Sequence, residues 1–355
     1  MTSEKKNILV APLNWGLGHA TRCVPIINAL IAHNFNPILA SDGVALELLQ
    51  KEFPSLQTLE LPSYQIEYAK NGKNFKWKMF KNSPKMIAAI LNEKKTVKAW
   101  VKQYNLSGII SDNRLGVRSK KIPSVFITHQ LNVLTGNTTW LTSQLHQNII
   151  SKFNQCWVPD FKEKPNLTGK LGHLKKNDLN TKYIEPISRL NRQDLPKKYD
   201  LMVLLSGPEP QRTMLEENLK TEVLKFEGKV IFIKGVVAKD QIKSQLKNIT
   251  LYNFMNSAEL ETAINESEIV LCRSGYTTIM DLAKLGKKAF FIPTPGQYEQ
   301  EYLAKRLKKH GLFPFATQDD FRIENLLEIP LYKGIHSPEN NINWEILFGV
   351  FNTPN

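Results

Sequence analysis

His19 is the residue best placed for chemistry by its neighbours: it stands in the run Asn14-Trp15-Gly16-Leu17-Gly18-His19-Ala20-Thr21-Arg22, directly after the apolar stretch Ile8-Leu9-Val10-Ala11. An imidazole near neutrality can take a proton from a hydroxyl. Gly16 and Gly18 let the backbone approach a ligand closely, and a helix that begins here presents free N–H groups and the positive end of its dipole. A histidine at a helix start also serves as a plain packing residue, and a lone G-x-G is not specific. The third glycine of the dinucleotide fingerprint is missing, which argues against a nicotinamide-dependent oxidoreductase.

Two more turns follow the same plan. Leu201–Leu205 runs into Ser206-Gly207-Pro208-Glu209-Pro210-Gln211-Arg212, whose backbone N–H groups can cradle a diphosphate; the same residues also make an ordinary turn. The most informative stretch is Ile269-Val270-Leu271-Cys272-Arg273-Ser274-Gly275-Tyr276-Thr277-Thr278-Ile279-Met280-Asp281. Here a buried strand ends in Arg-Ser-Gly and a helix begins with hydroxyl residues. Asp281, about one turn into that helix, can accept two hydrogen bonds from a ribose diol. The next apolar run, Ala289–Pro293, leads to Thr294-Pro295-Gly296-Gln297-Tyr298-Glu299-Gln300.

The elements that must carry these turns alternate. Strand-length apolar runs fall at 7–11, 36–40, 57–61, 108–111, 124–128 and 155–158, separated by helical patterns at 21–33, 44–53, 84–104 and 139–152. Around 174–198 the pattern fades into Lys, Asn, Asp and Pro. It then restarts as strands at 200–205, 230–234, 250–252, 269–272 and 289–292, with helices at 211–225, 257–266, 277–285 and 299–310. This alternation predicts two doubly wound α/β domains, at 1–190 and 191–355, with a linker near Ser188–Lys198. In such sheets ligands bind beyond the carboxyl ends of the strands, here facing a shared cleft.

The composition agrees with two folded domains: 355 residues, 42% hydrophobic and 23% charged. No apolar run is long enough to span a bilayer, and the start lacks the long apolar region of a secretory signal, so a cytoplasmic location is expected. The three cysteines, Cys23, Cys156 and Cys272, form no C-x-x-C pair, so neither a disulfide framework nor a zinc knuckle is expected. The net charge of +14 favours anionic partners. The basic residues are mostly dispersed lysines without a recognisable nucleic-acid module, so no nucleic-acid partner is expected.

At these turns the chain resembles the family of the peptidoglycan lipid-intermediate N-acetylglucosaminyltransferase, with the glycosyltransferase family 28 type of C-terminal domain. Gly16-Leu17-Gly18-His19 is similar to the family's N-terminal glycine loop, and His129-Gln130-Leu131-Asn132 to its His-Glu-Gln-Asn segment. Ser206-Gly207 falls at its Gly-Gly-Ser loop, and Phe254-Met255 at the pair whose backbone faces uracil. Cys272-Arg273-Ser274-Gly275, with Asp281 at a ribose-binding Glu, is the most specific block. Glu299-Gln300 resembles the Gln-Gln pair that contacts the donor sugar. Gln130 and Glu299 depart from the family pattern, and the Ser206-Gly207-Pro208-Glu209 turn has fewer glycines. The N-terminal loop is also similar to that of the UDP-sugar hydrolase of pseudaminic acid biosynthesis.

The resemblance implies a GT-B fold and an enzyme that moves a sugar, N-acetylglucosamine or a relative, from a UDP-sugar donor to a carbohydrate or lipid-linked acceptor, with a UDP-sugar hydrolase or epimerase as the alternative. It implies His19 as the catalytic base and Gly16, Gly18, Asn132, Gly207, Met255, Arg273, Ser274, Gly275, Asp281, Glu299 and Gln300 as substrate-binding residues. No metal and no cofactor is implied; dipoles and cations such as Arg273 and Arg212 would stabilise the departing diphosphate. The stretch 71–92 carries Lys73, Lys76, Lys78, Lys81 and Lys85, with Phe75, Trp77, Phe80 and Met86 among them and no acidic residue. Such a segment suits an anionic membrane surface on the inner face of the cell membrane, or is a basic loop whose aromatics dock inward.

Overall fold

The computed structural model describes residues 5–64, 75–176, 178–207, 209–236, 238–335 and 342–352, with side chains left out at 75–84. Pro208 and Lys73 lie outside the described residues, as do the side chains of Lys76, Lys78, Lys81, Phe75, Trp77 and Phe80.

Apolar runs become parallel strands where both faces can be covered, and both sheets follow that rule. The first holds β1 (Asn7–Pro12), β2 (Asn36–Ser41), β3 (Thr58–Glu60), β4 (Leu106–Asp112), β5 (Ser124–Ile127), β6 (Gln155–Val158) and β7 (Thr181–Tyr183) in the order β3-β2-β1-β4-β5-β6-β7. Val10 pairs with Leu39 on one side and Ile110 on the other. Its helices are α1 (Gly18–Ala32), α2 (Gly43–Glu52), α3 (Phe75–Gln103) and α4 (Thr139–Ile150).

The second sheet holds β8 (Tyr199–Leu204), β9 (Val230–Ile233), β10 (Lys243–Leu246), β11 (Ile249–Tyr252), β12 (Ser267–Cys272) and β13 (Lys288–Phe291), ordered β10-β11-β9-β8-β12-β13. Among the described strands only β10 is antiparallel, paired with β11 in a hairpin. Helices α5 (Gln211–Val223), α6 (Ser257–Asn265), α7 (Tyr276–Leu285) and α8 (Tyr298–Lys309) accompany this sheet.

The chain divides into two compact units, and the main body of the second begins at Ser188. The expected linker is not a free tether. The amide of Asn191 donates to Glu261 Oε2 (2.6 Å), that of Gln193 to Asn265 Oδ1 (3.1 Å), and Lys197 Nζ to the Asn265 carbonyl (2.7 Å), so the segment is part of the second unit.

One domain expectation is corrected. The terminal helix α9 (Trp344–Phe348) and the turn after it belong with the first unit, not the second. The reason is apolar burial: Phe348 packs edge-on to Phe35 (5.6 Å between centroids) and near Trp157 (6.3 Å). Gly108 leaves the space for Phe351, since a Cβ there would lie 2.3 Å from that ring.

Candidate active site

Each sheet has one place where the strand order reverses, between β1 and β4 in the first and between β8 and β12 in the second. The turns at the carboxyl ends there diverge to opposite faces and open a crevice. Gly16, Gly18 and His19 lie at the first of these places and Gly207, Arg273, Ser274 and Gly275 at the second, while Asn132, Met255, and Glu299 with Gln300 follow β5, β11 and β13.

In the first unit, β1 ends at Pro12, Gly16 takes a left-handed conformation (φ 76°), and α1 begins at Gly18. No side chain caps the start of α1. His19 lies in its first turn, and β4 delivers Asp112, fully buried, beside it. His19 Nδ1 is 2.8 Å from Asp112 Oδ1. Arg22, one turn on and 1% exposed, donates through Nε to Asp112 Oδ2 (2.5 Å) and through Nη2 to Oδ1. Burial works against ionisation of Asp112, but Arg22 above all, and then His19, hold its carboxyl well below the usual range.

An ionised carboxylate accepts only, so the proton between the pair belongs to His19 Nδ1. Arg22 Nη2, 2.9 Å from that nitrogen, shares the same carboxylate oxygen. The tautomer leaves the lone pair on His19 Nε2, and the side chain is 17% exposed, enough to meet a substrate. His129, after β5, is oriented oppositely: Arg22 Nη1 can only donate, so His129 Nδ1 accepts (3.0 Å) and its proton sits on Nε2. Asn113 turns the chain with φ 58° and sets its amide 3.5 Å from His19 Nδ1.

Asn132, expected to bind substrate, is engaged within the protein. Its amide side chain donates to the Lys170 carbonyl (2.6 Å) and its backbone N–H to the Leu171 carbonyl (2.9 Å), tying its turn to the loop after β6.

In the second unit Gly207 ends the β8 turn with φ 111° and open space around its Cα. Next to it, β12 leads into Arg273, Ser274 and Gly275, the last being the N-cap of α7. Ser274 Oγ donates to the Gln300 carbonyl (2.9 Å), and Gln300 Oε1 accepts from the Thr294 amide (2.8 Å). Gln300 thus faces inward and fixes the β13–α8 turn, while Glu299 stays half-buried beside it. The N-cap residues of α7 and α8 make no side-chain cap bond, at α5 the Thr213 amide donates to Glu209 Oε2 (3.3 Å), and α6 carries a full capping box from Asn256 and Glu259. Met255, half-buried, sits in the turn after β11.

Arg212 and Asp281 both have partners within the protein. Arg212 is neutralised locally, by Glu209 (Nε to Oε1, 2.7 Å) and Glu216 (Nη1 to Oε2, 2.8 Å), so it is not a free cation for a diphosphate. Asp281 Oδ1 accepts from Ser188 Oγ (2.5 Å), and burial raises its carboxyl to about 6, partly offset by that bond and by Arg189. Asp112 and Arg22 were not among the expected site residues. A carboxylate at the end of an apolar strand was the signal for Asp112.

Two Rossmann-like sheets with strand-end turns of this kind define the GT-B fold class. Residues 209–342 match the profile of the glycosyltransferase family 28 C-terminal domain. The chain is 25% identical over 227 residues to the UDP-N-acetylglucosamine–N-acetylmuramyl-(pentapeptide) pyrophosphoryl-undecaprenol N-acetylglucosamine transferase of Haemophilus ducreyi, covering 61% of this chain and 61% of that enzyme. The match thus spans about three-fifths of that relative's length. Among solved structures, MurG of Acinetobacter baumannii is similar at a TM-score of 0.54 and 15% identity, over 98% of this chain and 100% of that one. The spinosyn forosaminyltransferase SpnP is similar at 0.64 and 12% identity, over 99% and 100%.

Proposed function

We propose that this chain is a UDP-sugar-dependent hexosyltransferase, moving N-acetylglucosamine or a related sugar from UDP to a hydroxyl of a carbohydrate or lipid-linked acceptor. The observation that carries the reading is the pairing of His19 with a buried, ionised Asp112 at the switch point of the first sheet. The family 28 match over the second unit supports the donor, and the name of the Haemophilus ducreyi relative supports both UDP-N-acetylglucosamine and a lipid-linked acceptor. Such relatives are transferases, which favours transfer over hydrolysis or epimerisation.

In this reading the first unit takes the acceptor and the second the nucleotide. His19 Nε2 accepts the proton of the attacking hydroxyl, and Asp112 stabilises the imidazolium that results. The leaving diphosphate meets backbone N–H groups of the Gly207 and Ser274–Gly275 turns. A thermal-shift panel of nucleotides and nucleotide sugars tests the donor. UDP at about a hundred times its Kd should add about 2.7 kcal/mol of stability, and no response to any uridine nucleotide would sink the reading. UDP release from UDP-N-acetylglucosamine that runs equally fast without acceptor would instead establish a hydrolase.

Asp281 is assigned to the ribose through the oxygen that Ser188 does not hold. Asp281→Ala should weaken UDP binding by about 1–3 kcal/mol. Its carboxyl titrates at about 6 in the fold and at about 4 when unfolded, as is usual for Asp. The folded state therefore binds more protons across that window, and this group's contribution to stability falls as pH rises from about 4 to 6. Ribose recognition needs the ionised form, so uridine affinity should drop as pH falls through about 6 and become flat in Asp281→Asn. Calorimetry with uridine, which carries no phosphate to titrate, checks this; a flat wild-type profile removes Asp281 from the site.

An anionic membrane surface is part of the same proposal. On α4, Trp140 is 70%, Leu141 51% and Leu145 58% exposed, and on α3 Ile87 and Leu91 are 57% and 58% exposed. Among the described residues no helix is long and apolar enough to cross a membrane, so contact would be peripheral. Co-sedimentation with anionic vesicles at low salt is expected, and added salt or replacement of Lys73, Lys76, Lys78 and Lys81 by Gln should release the protein. Wild type left in the supernatant would remove the support for a lipid acceptor.

A further inference from the structure

Among the described residues four arginines lie buried in the fold, and three have carboxylate partners. Arg22 is held by Asp112, Arg114 by Glu93 and Asp42, and Arg212 by Glu209 and Glu216. Arg273, 1% exposed, has none among the described residues. Its Nη1 donates to the carbonyls of Ile292 (3.1 Å) and Pro293 (3.0 Å), and its Nη2 to the Gln211 carbonyl (3.0 Å) and to Gln318 Oε1 (2.8 Å). Its Nε has no partner there. Every acceptor is neutral. Burial lowers the guanidinium to about 9 with no neighbouring acid acting the other way, yet it stays cationic at physiological pH. A buried charge normally comes with an opposite one, because desolvation costs several kcal/mol.

The four acceptors show what the side chain does. Gln211 is the first residue of α5, and Ile292 and Pro293 follow β13 at the start of the α8 turn. Arg273 itself follows β12. One guanidinium therefore ties together the turns of β8, β12 and β13, which are neighbours in the sheet. Those turns lead into α5, α7 and α8. The fork satisfies backbone carbonyls of two of these turns, and its positive charge is left among the strand-end turns with no carboxylate partner among the described residues.

We propose that Arg273 is a positioning residue that holds these three turns in register and supplies, without touching the ligand, the uncompensated charge that a nucleoside diphosphate neutralises. This rests on the UDP reading of the second unit. It differs from direct phosphate contact, because the donors of Nη1 and Nη2 are already directed at protein acceptors. The missing counter-charge explains why an unpaired cation is tolerated here: the diphosphate supplies it when bound.

Gln318→Glu tests the idea without removing the arginine. Gln318 is 6% exposed, and a glutamate there keeps the acceptor at Nη2 while giving Arg273 a counter-charge. The variant should melt at or above the wild-type temperature, bind uridine as wild type does, and bind UDP about tenfold or more weakly. Arg273→Lys keeps the charge but loses the fork; it should melt lower and hold the ratio of UDP to uridine affinity within about threefold of wild type. UDP affinity unchanged in a folded Gln318→Glu, or uridine and UDP weakened equally, overturns the proposal, as does a ratio in Arg273→Lys that collapses. If Gln318→Glu does not fold, the ratio in Arg273→Lys decides. Wild type that binds neither ligand refutes the UDP reading itself, a separate result.

Discussion

Replacing His19 with Ala is expected to slow sugar transfer about 10²–10⁴-fold, the usual contribution of a positioned general base. UDP affinity should stay near wild type, because the nucleotide is assigned to the other unit. The magnitude follows from how the imidazole is held. Asp112 is fully buried and ionised, Arg22 fixes it from one side, and the His19 Nδ1 proton points at it from another. The lone pair on Nε2 is then available in every molecule rather than in half of a tautomeric mixture.

Asp112→Asn probes the same pair. The amide has nearly the same shape, but its N–H facing His19 favours the wrong tautomer and it no longer neutralises the buried Arg22, so turnover per folded molecule should fall much as in His19→Ala and the melting temperature should fall as well. Turnover, UDP affinity and melting temperature measured on one preparation distinguish the outcomes. Normal turnover per folded molecule with a lowered melting point would make His19 a helix-start packing residue and leave the base unassigned.

What could be read beforehand follows from which forces act locally. Parallel strands buried on both faces appear as unbroken apolar runs, so β1, β6 and β12 were visible with nearly their observed limits. The two doubly wound domains were legible for that reason, and GT-B followed from the family resemblance of the turns after the strands. β10 was not, because Lys243–Leu246 is exposed along its whole length and is held by backbone pairing with β11. The docking of Phe348 and Phe351 on the first unit was also hidden, since apolar residues near a chain end carry no mark of the surface they will cover.

At the site, the chemistry of single residues was legible and their pairing was not. His19 was found from its turn, but Asp112 lies far along the chain and only the β1–β4 pairing brings the two together. Arg212 shows a different failure. Its acids stand three residues before and four after it, a helical spacing that announces neutralisation. For Arg273 no spacing rule applies, because most of its acceptors are backbone carbonyls from two other turns.

The largest expected loss of stability lies beside the catalytic turn, at Glu93 and Arg114. Both are fully buried. Arg114 Nε donates to Glu93 Oε1 (2.6 Å), Nη1 to Asp42 Oδ1 (2.8 Å) and Nη2 to the Pro62 carbonyl (2.6 Å). Glu93 Oε2 accepts from Tyr64 (2.7 Å) and from the Gly116 amide (2.9 Å). The cluster joins α3, the ends of β2 and β3, and the turn after β4, so it anchors the residues that immediately follow Asp112. Glu93→Ala leaves a buried guanidinium, a hydroxyl and an amide without their acceptor and should cost about 3–5 kcal/mol, as should Arg114→Ala. The double variant should cost clearly less than the sum, because each single change already strands the other's charge. Urea unfolding of wild type and the three variants measures this. Where the single variants still fold, turnover should fall further than UDP affinity, since the turn that loses its anchor carries Asp112 and not the nucleotide. Single changes costing under about 1 kcal/mol, the range of an exposed ion pair, would show that the cluster is not what holds that turn.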